Sequence, residues 1–343
     1  MDAFRLLVAA IALIAATICP DSPGTLERFE YSQPHMGTLV RIVMYAPGAA
    51  IADEAADAAF ARIAALDQAF TDYRDSSELM RLSRRAGGGP VEVSEDLFRI
   101  LRAAQRINRD SAGAFDVTVG PLSLLWRQAR RQGELPDAVR LSAARARVGH
   151  DKLELDDRRR TVRLRDPGMQ LDLGGIAKGF AADEAAAVLT NRGIERALIA
   201  AGGDIVATHP PPGSAGWRVA IASSRIDDQA DRPPTGFLSL RNAAVSTSGD
   251  AEQFVVIGGV RYSHIFDPRT GQALTGRRSV TIVAPSGTTS DALATAVSVL
   301  GAAAGLRLVE ATHGTAAFVV EAPADVVHTY ESSRWRALGG FVR

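Results

Sequence analysis

Two apolar runs, Phe254 to Ile257 and Val260 to Phe266, are joined only by Gly258-Gly259. A two-residue glycine connection closes an antiparallel hairpin and cannot carry the long crossover that a parallel pair needs. Lys152 to Leu164 alternates as a second hairpin, with Arg158-Arg159-Arg160 after Asp156-Asp157 at its solvated tip and a turn at Asp166-Pro167-Gly168. Gln33 to Tyr45 is a strand-like stretch, Met169 to Leu173 and Val280 to Ala284 read as strands, and Trp217, Val219 and Ile221 alternate as in a half-buried strand. Helical segments lie between them. Asp53 caps one whose apolar stripe is Phe60, Ile63, Leu66, Phe70 and Tyr73. Ser94-Glu95-Asp96 starts another with Leu97, Ile100, Leu101, Ala104 and Ile107 on one face, and Pro121 opens a third. Ile176 to Thr190 forms a fourth, ending before Gly193, and Asp291 to Leu300 a fifth, stopped by Gly301. Hairpins joined to helices without a regular strand-helix-strand rhythm imply an α+β chain with a largely antiparallel or mixed sheet.

With 343 residues, 46% of them hydrophobic, the chain can bury one large core or two medium ones. Lys plus Arg equals Asp plus Glu, 39 against 39, so no overall field favours nucleic acid. Leu6 to Ile18 is a continuous apolar run after Arg5, too short to span a bilayer comfortably and similar to a secretory h-region. Export is the expectation. Cys19, the only cysteine, excludes an internal disulfide and a thiolate metal cluster. Its place after the apolar run suits lipoprotein attachment to a membrane, although Ile18 stands where such signals use a small residue; anchored and free forms both stay open. The expected organisation is a signal or lipoprotein-type segment over 1–19, a linker over 20–31 and one domain over 32–343, with Pro210 to Gly216 as a surface loop.

Six segments could carry chemistry. Leu173 to Gly179 (LGGIAKG), Ala201 to Asp204 and Ser248-Gly249-Asp250 are glycine-rich, and backbone approaches a phosphate only where side chains are absent. LGGIAKG stands between strand and helix, so its N–H groups and Lys178 could face a pyrophosphate; the alternative is a plain turn. In SDALAT, with Ser290 as N-cap, Asp291 and Thr295 lie four apart on one helix face. A carboxylate and a hydroxyl are hard oxygen donors suited to Mg²⁺, or Asp291 merely complements the helix dipole. Gly113 to Pro121 reads as a buried strand in which Asp116 needs a partner. HIFDPRTG, 264 to 271, contains the β-turn Asp267-Pro268-Arg269-Thr270, which leaves His264 either a reactive base or the end of a strand.

Taken in order, YSQPHMGTLV, GAFDVTVGPL, LDLGGIAKGFAAD, ALIAAGGDI, AVSTSGD, RYSHIFDPRTG and TTSDALATAVSVLG resemble the signature segments of the ApbE family of FAD:protein FMN transferases. The resemblance runs from about Ser32 to past Leu300. It implies a single two-lobed α+β unit with FAD in a cleft between the lobes, Mg²⁺ at the pyrophosphate, and export to the periplasm or the outer face of the inner membrane. The implied reaction moves the FMN half of FAD onto a Ser or Thr hydroxyl of an acceptor protein and leaves AMP. By motif position, Asp291, Thr295 and the backbone oxygen of Ala177 would bind the metal, and His264 would stand at the reacting phosphate. Met36, Tyr73, Ala114, Phe115, Asp116, Gly174, Lys178, Phe180 and Ile265 would line the FAD site.

These residue types suit that chemistry. A hydroxyl attacking a charged pyrophosphate needs charge neutralisation, from Mg²⁺ and Lys178, and a proton acceptor near neutral pH, which imidazole can be. Water in place of the acceptor would make a FAD pyrophosphatase, and a flavin carrier without turnover would need neither base nor metal.

Overall fold

The computed structural model describes residues 25–221, 236–249, 254–322 and 326–338. The apolar segment Leu6 to Ile18, Cys19 and Asp250 lie outside the described residues.

In chain order, β1 (Glu27–His35) and β2 (Thr38–Ala46) form a hairpin turning at Met36-Gly37, whose φ values are 51° and 73°. Gln33 to Tyr45 is therefore two strands and a turn, not one stretch. Helix α1 (Ala49–Phe70) starts from Gly48 rather than Asp53, which sits inside the helix and accepts the Tyr31 hydroxyl at 2.7 Å. The helix ends at Phe70, so Tyr73 lies beyond it instead of closing its stripe. Next come α2 (Glu78–Ser83), β3 (Val91–Glu92) and α3 (Glu95–Asp110), which buries the expected face and is capped by Ser94. Helix α4 (Gly120–Gln132) carries Pro121 in its first turn, and α5 (Ala138–Arg145) is capped by Asp137. The hairpin β4 (Leu153–Asp156) and β5 (Thr161–Leu164) pairs with β3 in a three-stranded sheet.

Helix α6 (Ala177–Asn191) leads into β6 (Arg196–Ala201) and β7 (Asp204–Ala207), followed by the ribbon β8 (Trp217–Ile221) and β9 (Gly236–Leu240). Strands β10 (Ala243–Gly249), β11 (Phe254–Ile257), β12 (Val260–Phe266), β13 (Ala273–Thr275) and β14 (Arg277–Ala284) precede α7 (Gly287–Ala311). The chain then forms β15 (Ala316–Ala322), β16 (His328–Glu331) and α8 (Ser333–Ala337). The hairpin at Gly258-Gly259 forms as expected, and β11-β12-β13 make a small sheet.

The main sheet has the order β1-β2-β6-β7-β10-β14-β15-β16, and every neighbouring pair in it is antiparallel. Side-chain alternation splits β2 between two cores. Val40, Ile42 and Met44 pack under α1 and α6, whereas Val43 joins Leu198, Val245 and Phe318 beneath the β8–β9 ribbon and Trp335. Helix α7 lies on the helical side, against β10, β14 and α6. Its length and composition would suit a membrane span, but 61% of its most apolar window is buried in the protein.

Gly301 breaks α7 at φ 76° without ending it. The Ala302 N–H freed there donates to Glu321 Oε1 at 3.0 Å, and Arg278 pairs with the same carboxylate at 2.9 Å, so the sheet supplies the partner that lets the helix resume.

Two expected strands are absent. Residues 112–118 are turns, because Ser111, Asn108 and Asp116 side chains take up that backbone: Asn108 Nδ2 donates to Phe115 O at 2.7 Å, and Asp116 Oδ1 accepts the Thr118 N–H at 2.8 Å. From Met169 to Leu173 only Gln170 makes a β-bridge, to Val119. The apolar character that suggested strands reflects burial, not a ladder.

Candidate active site

Where the helical part meets the open end of the main sheet lies a cavity of about 950 Å³. Of the thirteen residues expected at the site, twelve line it: Met36, Tyr73, Ala114, Phe115, Asp116, Gly174, Ala177, Lys178, His264, Ile265, Asp291 and Thr295. Phe180 does not. It falls on the opposite side of α6 from Lys178, is 4% exposed, and packs edge-on to Phe70 with ring centroids 5.7 Å apart.

Glycines set the geometry of the oxygen donors. Helices α6 and α7 cross so closely at Gly179 and Gly287 that a Cβ on Gly179 would stand 2.1 Å from the Gly287 carbonyl oxygen and 2.8 Å from Asp291 Cβ. This contact brings Asp291 to the first turn of α6, where its Oδ2 accepts the Gly179 N–H at 3.0 Å. Asp183 fixes the crossing from the other side. Its carboxylate accepts the N–H groups of Gly287 and Thr288 at 2.6 and 2.8 Å and the Thr288 hydroxyl at 2.6 Å. The N-cap of α7 is Ser286, not Ser290, whose hydroxyl is tied to Ser246 on β10 at 2.8 Å. Asp291 consequently sits past the first turn, where capping does not apply, yet it still shares a face with Thr295.

Asp291 Oδ1 and the Thr295 hydroxyl make no hydrogen bond with the described residues. A Cβ on Gly175 would approach Thr295 Oγ1 to 3.0 Å, so glycine keeps that oxygen open. Among the described residues no three His, Cys, Asp or Glu side chains cluster as a metal site. The donors present are one carboxylate, one hydroxyl and the nearby Ala177 backbone oxygen, all hard oxygens of residues that line the cavity. That set fits Mg²⁺, which uses few protein ligands and completes its shell from water and substrate.

The charges around it are tightly linked. Burial pushes the Asp291 carboxyl well above the carboxylate range and Asp204 adds to the rise, while Lys178 and the Gly179 N–H oppose it. Burial works against the Lys178 charge, but Asp291 and Asp204 outweigh it and hold the ammonium protonated. Lys178 makes its ion pair with Asp204 and keeps 31% of its side chain exposed to the cavity. Asp116 is raised by burial, with the Thr118 N–H and hydroxyl pulling the other way.

His264 stands on β12 just before the expected turn. Asp267 O accepts the Gly271 N–H at 2.7 Å, and Asp267 Oδ1 accepts the Arg269 N–H at 2.8 Å. Trp126 of α4 donates to Gly271 O at 2.8 Å and Arg145 of α5 to Arg269 O at 2.5 Å, so two helices clamp the turn behind the histidine. Sequence reasoning missed a further cluster. Arg127 is held by Asp72 at 2.5 Å and Asp172 at 3.2 Å, and its guanidinium lies 4.6 Å from the Tyr73 ring centre at the rim, where Tyr73 is 78% exposed. Only Asp172 left a local trace: it caps the glycine turn by accepting the Gly174 N–H at 2.8 Å.

Residues 36–319 match the ApbE family. The chain is 31% identical over 334 residues to the FAD:protein FMN transferase of Vibrio cholerae serotype O1, covering 96% of this chain and 97% of that protein. It is 34% identical over 330 residues to the FAD:protein FMN transferase of Treponema pallidum, covering 91% and 88%. Among solved structures it resembles flavin transferase ApbE from Vibrio cholerae, with a TM-score of 0.82 and 32% identity over 91% of this chain and 99% of that one. The apo flavinyl transferase ApbE of Pseudomonas stutzeri gives a TM-score of 0.81 at 30% identity, covering 93% and 99%.

Proposed function

Because the chain belongs to the ApbE family, we propose that it transfers the FMN half of FAD to a hydroxyl of an acceptor protein and releases AMP. The observation that carries this reading is one cavity that joins open hard-oxygen donors (Asp291, Thr295), a protonated amine (Lys178) and an imidazole (His264). At about 950 Å³ it reaches the upper end of the volumes that small-molecule sites occupy, as a dinucleotide requires.

The acceptor is a Ser or Thr side chain. Its oxygen forms a bond to the FMN phosphorus as the bond from that phosphorus to the AMP oxygen breaks, and His264 takes the hydroxyl proton. Lys178 holds the pyrophosphate oxygens by charge, and the glycine turn at Gly174-Gly175 lets backbone approach them. Bound Mg²⁺, held by Asp291, Thr295 and the Ala177 carbonyl, would neutralise charge on the pyrophosphate. Tyr73, Met36, Phe115 and Ile265 supply apolar and aromatic surface for the flavin or adenine rings. Export, with or without attachment of Cys19 to the membrane, would place the enzyme beside an exported acceptor; fractionation of cells expressing a Cys19→Ala variant tests the attachment.

The test is incubation of the protein with FAD, Mg²⁺ and an acceptor polypeptide, following AMP release and acceptor mass. Acceptor carrying FMN is the expected result. Free FMN beside unmodified acceptor would mean that water is the acceptor, and intact FAD would refute both.

A further inference from the structure

Asp204 opens β7 directly after the Gly202-Gly203 turn and is 3% exposed. Its strand lies between β6 and β10, so the carboxylate is fixed from the interior of the main sheet. Its one hydrogen-bonding partner among the described residues is the Lys178 ammonium. Asp204, Lys178 and Asp291 come from three separate elements and line the same cavity. The ammonium acts on both carboxylates, yet it forms its ion pair with Asp204 and none with Asp291, whose side chain is held by the Gly179 N–H instead.

This division has a consequence for a divalent cation. An ammonium carries the charge that a buried carboxylate seeks, and a buried charge left without a partner is costly. Were Asp204 neutral, Asp291 would be the nearest anion for Lys178, and the ammonium would compete with any metal for it. We propose that Asp204 is a positioning residue that withholds Lys178 from Asp291 and so keeps Asp291 available to Mg²⁺. The inference rests on the Mg²⁺ reading above. It adds that the Gly-Gly-Asp turn tunes metal affinity without ligating the metal.

The experiment measures Mg²⁺ binding to the FAD-free protein by calorimetry, alongside the Mg²⁺ dependence of AMP release. Asp204→Asn, which keeps the shape and removes the charge, should weaken Mg²⁺ binding at least about tenfold, with turnover recovering as Mg²⁺ is raised. Removing the competitor should reverse this: the double variant Asp204→Asn/Lys178→Met should bind Mg²⁺ about as tightly as wild type. Lys178→Met alone should bind it no more weakly than wild type, which tests the idea even if the Asn variant misfolds. Unchanged affinity in Asp204→Asn overturns the proposal, as does a double variant no tighter than the single one, since Asp204 would then be a ligand or a merely structural residue. Wild-type protein that binds no Mg²⁺, with or without FAD, would instead remove the metal reading itself.

Discussion

Replacing Gly179 by alanine strikes the site at its tightest point. The added Cβ would lie 2.1 Å from the Gly287 oxygen, 2.4 Å from its carbonyl carbon and 2.8 Å from Asp291 Cβ. Two of these are backbone atoms that cannot swing aside. Helices α6 and α7 must therefore part by roughly 1 Å to restore ordinary contact distances. Overpacking of this kind costs about 1–3 kcal/mol, and the better helix propensity of alanine returns up to about 1 kcal/mol, so the net loss is about 0–3 kcal/mol and the variant is expected to fold. Function fares worse. Ala177 rides on α6 while Asp291 and Thr295 ride on α7, and Mg²⁺ tolerates shifts of only about 0.2 Å in its ligand distances. A displacement of about 1 Å is enough to lower turnover about a hundredfold. Thermal melting, calorimetric Mg²⁺ titration and AMP release are the assays, with Gly89→Ala as control because nothing stands within 4 Å of its Cβ position. Wild-type Mg²⁺ affinity and turnover in Gly179→Ala would refute the claim that this crossing sets the donor geometry.

His264→Ala should lower turnover by about 10²–10⁴-fold while FAD still binds, as read by flavin fluorescence; turnover near wild type would remove it as the base. Asp183→Ala deletes three hydrogen bonds at the start of α7 and should cost about 1–2 kcal/mol in thermal unfolding, together with weaker Mg²⁺ binding. The Tyr31 phenol is pushed up to about 12, by burial first and then by Asp53, which accepts its hydroxyl. Its folded value lies above the unfolded one of 10.0, so its contribution to stability is whole below that pH and is lost as pH rises toward about 12. Absorbance titration should show a late tyrosine step near pH 12 that Tyr31→Phe abolishes; a step that persists refutes the assignment.

What could be read in the sequence was what short-range chemistry decides. The stripe of α3 and its Ser94 cap lie within one helix, and Gly258-Gly259 dictates its own turn. The errors occur where a partner is remote. Asp53 and Ser290 look like caps, but Tyr31 on β1 and Ser246 on β10 claim them. Met36 adopts a positive φ that its side chain does nothing to advertise, which hid the first hairpin. Asp116 sits in apolar sequence that alternates like a strand, yet its own carboxylate turns the chain through Thr118. The Arg127 cluster draws on Asp72 and Asp172, 55 and 45 residues away, and no periodicity spans such gaps.

The proposed metal donors illustrate why ordered motifs carry more here than counts of acids do. Only one of the three proposed donors is a carboxylate, so no acidic cluster announces the site. Its formation depends on close approaches of main chain: Gly179 against Gly287, Gly175 beneath Thr295, and Gly120 packed on Gln170, where a Cβ would meet the carbonyl oxygen at 2.6 Å. Each glycine matters for the volume it leaves empty, and an empty volume has a meaning only relative to the segment that passes through it. LGGIAKG and SDALAT are thus two halves of one feature, and neither alone distinguishes a turn from a site. Their pairing across more than a hundred residues is what gives Asp291 an oxygen facing the cavity instead of a place in the core.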